Sequence, residues 1–558
     1  MTARSRAFRA PLALGGGIAL LALCSLALPF VPLYDPWAWL AWGGELAEFE
    51  LDTTAGPSWK PLPVLLDAAF SLAGDAAPDL WLAVSRAGWI AAPLLAGALA
   101  ARLLFPRTLA SRIAEVWARD RVRRGKVFAA GLAGLGVILL NDPFTSWARQ
   151  FAGGLSEPLL VAFVLGAIHL ELSRRHGLAF ALGVGAALLR PEAWPFLALY
   201  GWHLWNTERS ARLSEYKRSA RLLRFASGGG RVSREGGRVS REGGPVSREG
   251  YRVSFGQPVR RRWILAGAVA VPLLWLVPDL VGSGSPLTGA SRAREGSGSP
   301  PIEAIEALGR SLDLVLASLW IGAAYAVHSA RAAGERAIPL LAAGALAWIG
   351  LVALLAAVGY AGIPRFAAPA AAVGCVLGGV GIVRIFAALD GMRGSDRRRR
   401  AAIAAFAAMV VALAAQGVIR AGQIPGDLSA ARDYARGADD LGALVERLGP
   451  ERISTCGAVT TSTFLAQTQL AWELELPIDA IAIRTETAPA EGTAFLERGA
   501  SVAARDAIEA VGRPLGSHGR WSAYAISCAR ASSAGERTIA GVAGARRYGA
   551  SSTSSSSR

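Results

Sequence analysis

The sequence predicts an α-helical polytopic membrane protein with about eleven transmembrane helices and a small C-terminal extracytoplasmic α/β module. Three observations carry that prediction. Hydrophobic residues make up 53% and charged residues 18% of the 558, with a mean hydropathy of +0.36, too apolar for a soluble chain and long enough for many spans. The net charge of +17 comes from Lys and Arg clustered in short blocks between apolar runs, as expected where positive loops stay inside. The basicity is therefore read as topology, and no nucleic-acid partner is expected. Beyond residue 425 the pattern turns from uniformly apolar to amphipathic, which marks the module.

The opening MTARSRAFRA is basic and precedes an apolar run, Pro11 to Val31, near the ~20 residues that a span needs. With no small-x-small cleavage site behind it, the run reads as an uncleaved first helix with its amino terminus in the cytoplasm. Tyr34 to Pro63 then lies outside. It mixes Asp35, Glu45, Glu48, Glu50, Asp52 and Lys60 with Trp37, Trp39, Trp42 and Trp59, the composition of an interfacial loop whose tryptophans act as anchors. Trp59 to Ala73 is short and interrupted by Pro61, Pro63 and Asp67, so it is expected to lie in the outer interface or re-enter. Leu80 to Phe105 crosses and delivers the basic block 107–126 to the cytoplasm.

Further spans are expected at Val127 to Leu140, Pro158 to Leu172, Leu178 to Leu189 and Ala193 to Trp205. Residues 207–262 form an Arg-rich cytoplasmic loop in which RVSREGG, RVSREGG and PVSREGY repeat from Arg231 to Tyr251. Glycine in every unit and valine as its lone apolar residue exclude a coiled-coil seam, so disorder is expected there. Spans resume at Trp263 to Val281, Ser311 to Ala330, Ile338 to Tyr360, Phe366 to Leu389 and Ala401 to Ile419. The organisation is thus a membrane domain, 1–424, an outer module, 425–530, and a Ser-rich tail, 531–558, expected to be disordered.

Within the module, Leu428 to Leu448 has helical spacing with Asp427 as a cap; Thr463 to Leu474 reads as a helix, and Arg452 to Ala458, Ala480 to Ile483 and Trp521 to Ile526 as strands. Cys24 and Cys375 lie in apolar runs, whereas Cys456 and Cys528 fall on or beside predicted strands. A bridge between these two is feasible outside the cytoplasm, and two buried thiols are equally so. The histidines 169, 176, 203, 328 and 518 are scattered and do not predict a zinc site.

On this topology the outer helix ends collect Asp35, the run Asn141, Asp142, Pro143, the run Ser156, Glu157, Pro158, the turn Arg190, Pro191, Glu192, and Arg365. For any single one, a solvated helix end competes with a functional role. Together, the Asp after the first helix, K-P-L-P at 60–63, N-D-P at 141–143, L-L-R-P-E at 188–192 and G-I-P-R-F at 362–366 resemble the GT-C superfamily of polytopic glycosyltransferases. The closest likeness is to bacterial members that use polyprenyl-phosphate sugars, such as protein mannosyltransferases and the aminoarabinose transferase of lipid A.

The resemblance spans most of Pro11 to Ile419. It implies an inverting transfer of a sugar from a polyprenyl-phosphate donor to a glycan, glycolipid or protein acceptor at the outer face of the cell membrane. Asp35 would be the base or acceptor-orienting carboxylate, and Asp142 a second carboxylate supporting the site or a divalent cation. Lys60, Arg190 and Arg365 would hold the lipid phosphate, with Glu157 and Glu192 in the substrate-binding set. A transporter and a noncatalytic membrane scaffold are the alternatives. The first calls for mid-membrane charges or related halves, of which the sequence shows neither.

Overall fold

The computed structural model describes residues 3–104, 119–141, 146–207, 259–294, 300–392, 396–454 and 456–528. Asp142, most of the repeat loop, the first part of the basic block and the Ser-rich tail lie outside the described residues.

Apolar helices dominate. Among the described residues five are long and apolar enough to cross a bilayer, or up to seven if two bent pairs each count as one span. The sequence-based count of about eleven also takes shorter runs as spans, including His176–Leu189, observed as a short apolar helix. One expected span, Ser311 to Ala330, is broken. Helices Pro300–Asp313 and Ala317–Ala332 meet at a bend of 86°, because Leu314, Val315 and Leu316 leave the helix to bury in the core.

Small residues let the helices approach closely, which in a bilayer replaces the hydrophobic drive for association. A Cβ at Gly322 of helix Ala317–Ala332 would stand 2.5 Å from Gly378 O of helix Ala368–Asp390. At Gly88 of helix Ala77–Leu104 it would stand 2.6 Å from Leu159 Cα. Side chains at either position would force the helices apart.

The stretch after the first helix is not an interfacial loop. Tyr34–Glu48 is a helix, and Trp37, Trp39, Trp42 and Trp59 are buried, joining Trp81 and the C-terminal module in one apolar cluster. Their anchoring role is thereby corrected: the run WAWLAW has apolar residues on every side and demands cover all round. Helix Pro61–Phe70 crosses beside it so closely that a Cβ at Gly43 would stand 2.6 Å from the carbonyl carbon of Asp67. Gly74 (φ 57°, ψ −129°) then turns the chain into helix Ala77–Leu104, a conformation that favours glycine.

The final membrane helix does not end near residue 419. It runs from Asp396 to Leu448 through Pro425, so Asp427 lies inside it and caps nothing; instead Asp427 pairs with Arg149 at 3.1 Å. The upper half of this helix, through Ala435, Leu441, Leu444 and Val445, packs on the module. The module is a mixed sheet of β1 (Val459–Thr461), β2 (Ile481–Ile483), β3 (Gly492–Glu497), β4 (Arg513–His518) and β5 (Trp521–Ile526), in the order β2-β1-β3-β5-β4. Parallel β1 and β2 are joined by helix Phe464–Leu474, the crossover that parallel pairing requires.

Residues 450–454 are helical rather than a strand, with Pro450 at the position where proline favours helix entry. Cys456 and Cys528 are bridged across 72 residues, with Cα atoms 5.4 Å apart.

Candidate functional site

Six of the residues singled out from sequence converge. Glu157 is fully buried and its Oε1 is the hub. It accepts a short hydrogen bond from Arg190, lies 3.6 Å from Arg365 Nε and lies 3.8 Å from Lys60 Nζ. Arg365 Nη2 reaches Asp35 Oδ2 at 3.4 Å, and Arg190 Nη1 lies 3.8 Å from Glu192 Oε1. Three cations thus face three carboxylates. The seventh expected residue, Asp142, lies outside the described residues.

Local sequence explains the convergence. Asp35, Lys60, Glu157 and Arg190 each precede a proline, Arg365 follows one, and every one of these prolines stands at a helix entrance. Proline is tolerated there because the N–H it lacks would have no helical partner, and where it opens the helix after Lys60 and Arg190 it favours an extended conformation in the residue before it. Lys60 (φ −136°, ψ 112°) and Arg190 (φ −150°, ψ 131°) show that extension, which turns their side chains off the helix axes. Asp35 and Glu157 occupy first turns, where the helix dipole favours a carboxylate.

Two aromatic platforms complete the site. Lys60 Nζ lies 4.6 Å above the Trp39 ring and donates to Ser156 Oγ at 3.0 Å; the Arg190 guanidinium lies 3.6 Å from the Phe366 ring. Such contacts hold cations without neutralising them. The sequence gives Phe366 no part in the site and Trp39 only that of an interfacial anchor, although Phe366 adjoins Arg365 and Trp39 lies in the same stretch as Lys60.

Burial grades across the cluster. Lys60, Glu157, Arg190 and Glu192 are all buried, while Arg365 and Asp35 keep 17% and 19% of their side chains exposed, so solvent reaches the site from the Asp35 side. Burial, and next the positive charge of Arg190, push the Lys60 ammonium down to about 8 against the pull of Glu157 and Asp35. Burial and the neighbouring Asp35 push the Tyr34 phenol up to about 12.

Glu157 Oε2, Glu192 Oε2 and Arg190 Nε are buried without a hydrogen-bond partner among the described residues. Unmet by water or a ligand, each would cost ~1–3 kcal/mol, so these atoms are open to a polar partner. The described residues, which do not include Asp142, offer no ready-made divalent-cation site. Among the described residues no group of three or more His, Cys, Asp or Glu could hold a metal, and Glu157 Oε1 is already shared by three cations.

The module closes one side. Tyr34 donates to Gln467 Oε1 at 3.0 Å, Thr468 donates to Tyr34 O at 2.9 Å, and Tyr34 meets Phe464 edge to face. The residue next to Asp35 is therefore fixed by the helix between β1 and β2.

Fold and site together define a polytopic membrane protein with a buried, charge-balanced cluster at one end of its helices, opening toward Asp35 and the module. No family model and no curated protein matches the sequence. Two solved structures with similarity to the chain are both ArnT from Cupriavidus metallidurans. The one bound to undecaprenyl phosphate is 11% identical, with 92% of this chain and 97% of that chain covered at a TM-score of 0.48. The apo state is 13% identical, with 93% and 98% covered at a TM-score of 0.45.

Proposed function

We propose that the chain is a membrane glycosyltransferase that moves a sugar from a polyprenyl-phosphate donor to an acceptor hydroxyl at the outer face of the membrane. The observation that carries this reading is the coupling of the cation cluster to Asp35 through Arg365. Transfer needs both halves of that arrangement within one sugar's width. A carboxylate must take the acceptor proton, and preorganised cations must stabilise the phosphate as charge develops on it.

In the proposed step the acceptor oxygen attacks the anomeric carbon and its proton passes to the Asp35 carboxylate. The bond from that carbon to the phosphate oxygen breaks, and its electron pair leaves on the polyprenyl phosphate. Lys60, Arg190 and Arg365 face that oxygen, the arginines offering forks and the lysine a point charge. The orphaned Glu157 Oε2 and Glu192 Oε2 are acceptors suited to sugar hydroxyls. Asp142 is proposed as a supporting carboxylate on the strength of the sequence resemblance alone. An apolar groove of about 430 Å³ that includes Trp194, Trp202, Trp205 and Pro272 begins two residues from Glu192 and suits an isoprenoid chain.

The test is sugar transfer in proteoliposomes from a panel of labelled polyprenyl-phosphate sugars to membrane acceptors. The parent is expected to transfer one of them, and Asp35→Asn to lose ~10²–10⁴-fold in rate. Full activity in the variant removes Asp35 from the chemistry. No transfer by the parent with any donor favours a noncatalytic scaffold.

A further inference from the structure

Opposite the ion cluster, the helices enclose a second groove that the proposed transfer does not use. Arg365 sits at the start of the turn leading into helix Ala368–Asp390, so the far end of that helix lies roughly 35 Å away at 1.5 Å per residue. There it meets helices Arg119–Ile138 and Asp396–Leu448 around a cavity of about 520 Å³. Its walls are apolar, with Phe128, Leu132, Phe386, Phe406, Val410 and Leu413 contributing. Phe128 and Phe386 are 67% and 57% exposed, so the cavity opens sideways rather than into the core.

The mouth is different. It is formed by Arg121, Arg124 and Asp390, and Arg121 pairs with Asp390 at 2.9 Å. That pair cancels one cation and leaves Arg124, to which no hydrogen bond or ion pair is made among the described residues. Exposed Arg397 and Arg398 stand about two turns before Phe406 on the same helix. A net positive mouth on an apolar, side-opening groove is complementary to an anionic lipid, with its acidic headgroup at the mouth and hydrocarbon along the walls. The charge rule places this end at the cytoplasmic leaflet, and basic pockets between membrane helices on that side take anionic lipid heads.

We propose that this groove binds one anionic diacyl phospholipid of the inner leaflet, its phosphate at Arg124 and Arg121 and an acyl chain against Phe128, Phe386 and Val410. The proposal stands independently of sugar transfer.

The test is native mass spectrometry of the purified full-length chain, titrated with phosphatidylglycerol and, separately, phosphatidylcholine of the same chains. The first bound phosphatidylglycerol is expected to be held about tenfold more tightly than phosphatidylcholine, the scale of roughly one basic residue per kcal/mol near a lipid head. Arg121→Ala with Arg124→Ala should abolish that preference. Val410→Trp keeps every charge but fills the groove, and should weaken phosphatidylglycerol binding several-fold; it also guards against misfolding of the double variant. Equal binding of the two lipids by the parent, a preference that survives Arg121→Ala with Arg124→Ala, or phosphatidylglycerol binding unchanged in Val410→Trp overturns the proposal.

Discussion

Arg365 Nη2 stands 3.4 Å from Asp35 Oδ2, across 330 residues of sequence, and its Nε stands 3.6 Å from Glu157. One guanidinium therefore joins the solvent-reaching carboxylate to the buried one. Replacing it by Lys keeps a charge but loses the fork. Under the proposed function, Arg365→Ala is expected to raise the donor KM by ~10–100-fold, as for a lost charge-assisted bond, and Arg365→Lys to recover only part. Steady-state kinetics in proteoliposomes with the donor varied decide this; an unchanged KM in both variants removes Arg365 from phosphate binding.

Glu157 is the counter-charge for Lys60, Arg190 and Arg365 at once. Glu157→Ala leaves buried cations uncompensated, and removing one partner of a buried pair costs ~3–5 kcal/mol. Thermal unfolding of the purified protein should show a large drop in Tm, smaller for Glu157→Gln and partly reversed when Lys60→Met is added to Glu157→Ala. If that second change gives no recovery, the coupling between the two residues is not energetic.

Lys60 sets a pH dependence. Its ammonium titrates at about 8 in the folded chain, against 10.5 when free. Between those values the unfolded chain binds more protons than the folded one, so this group's contribution to stability rises with pH across that window. Under the proposed function, phosphate binding moves the other way, because the neutral amine no longer attracts an anion. Donor KM is expected to climb as pH rises through about 8, and Lys60→Arg, which stays charged, should flatten that limb. The same alkaline limb in both proteins would assign it to another group.

The bridge between Cys456 and Cys528 closes a loop of 72 residues that contains all five strands. On the chain-entropy scale a loop of that size contributes about 4 kcal/mol. Cys456→Ser with Cys528→Ser, or a reductant, should speed amide hydrogen exchange in the module while leaving the membrane helices protected. Unchanged exchange at β3 and β5 contradicts this.

Asp35, Lys60, Glu157, Arg190, Glu192 and Arg365 were legible in the sequence as charges at the ends of apolar runs and through the motifs that carry the family resemblance; the structure gathers their side chains, and their chemical roles stay with the proposed function. What lay beyond reach was what covers an apolar stretch. The tryptophans of 37–42 carry the same composition whether they face lipid or a folded module, and only the module's position over them decides it. β4 went unrecognised because RPLGSH at 513–518 lacks apolar alternation on a half-exposed edge, and β3 because its burial on both faces removes the period that marks a strand.

The separation between Asp35 and Arg365 also orders the making of the site. As the chain leaves the ribosome, Asp35 and Lys60 arrive with the first helices, Glu157 and Arg190 follow, and Arg365 comes only after most spans have been inserted. Under the proposed function, the acid that would take a proton is made long before the cation that would tie it to the phosphate-binding groups. A chain that ends before residue 365 holds Asp35 and Glu157 without the guanidinium that joins them, so the complete cluster is a late product of synthesis rather than a property of any one segment.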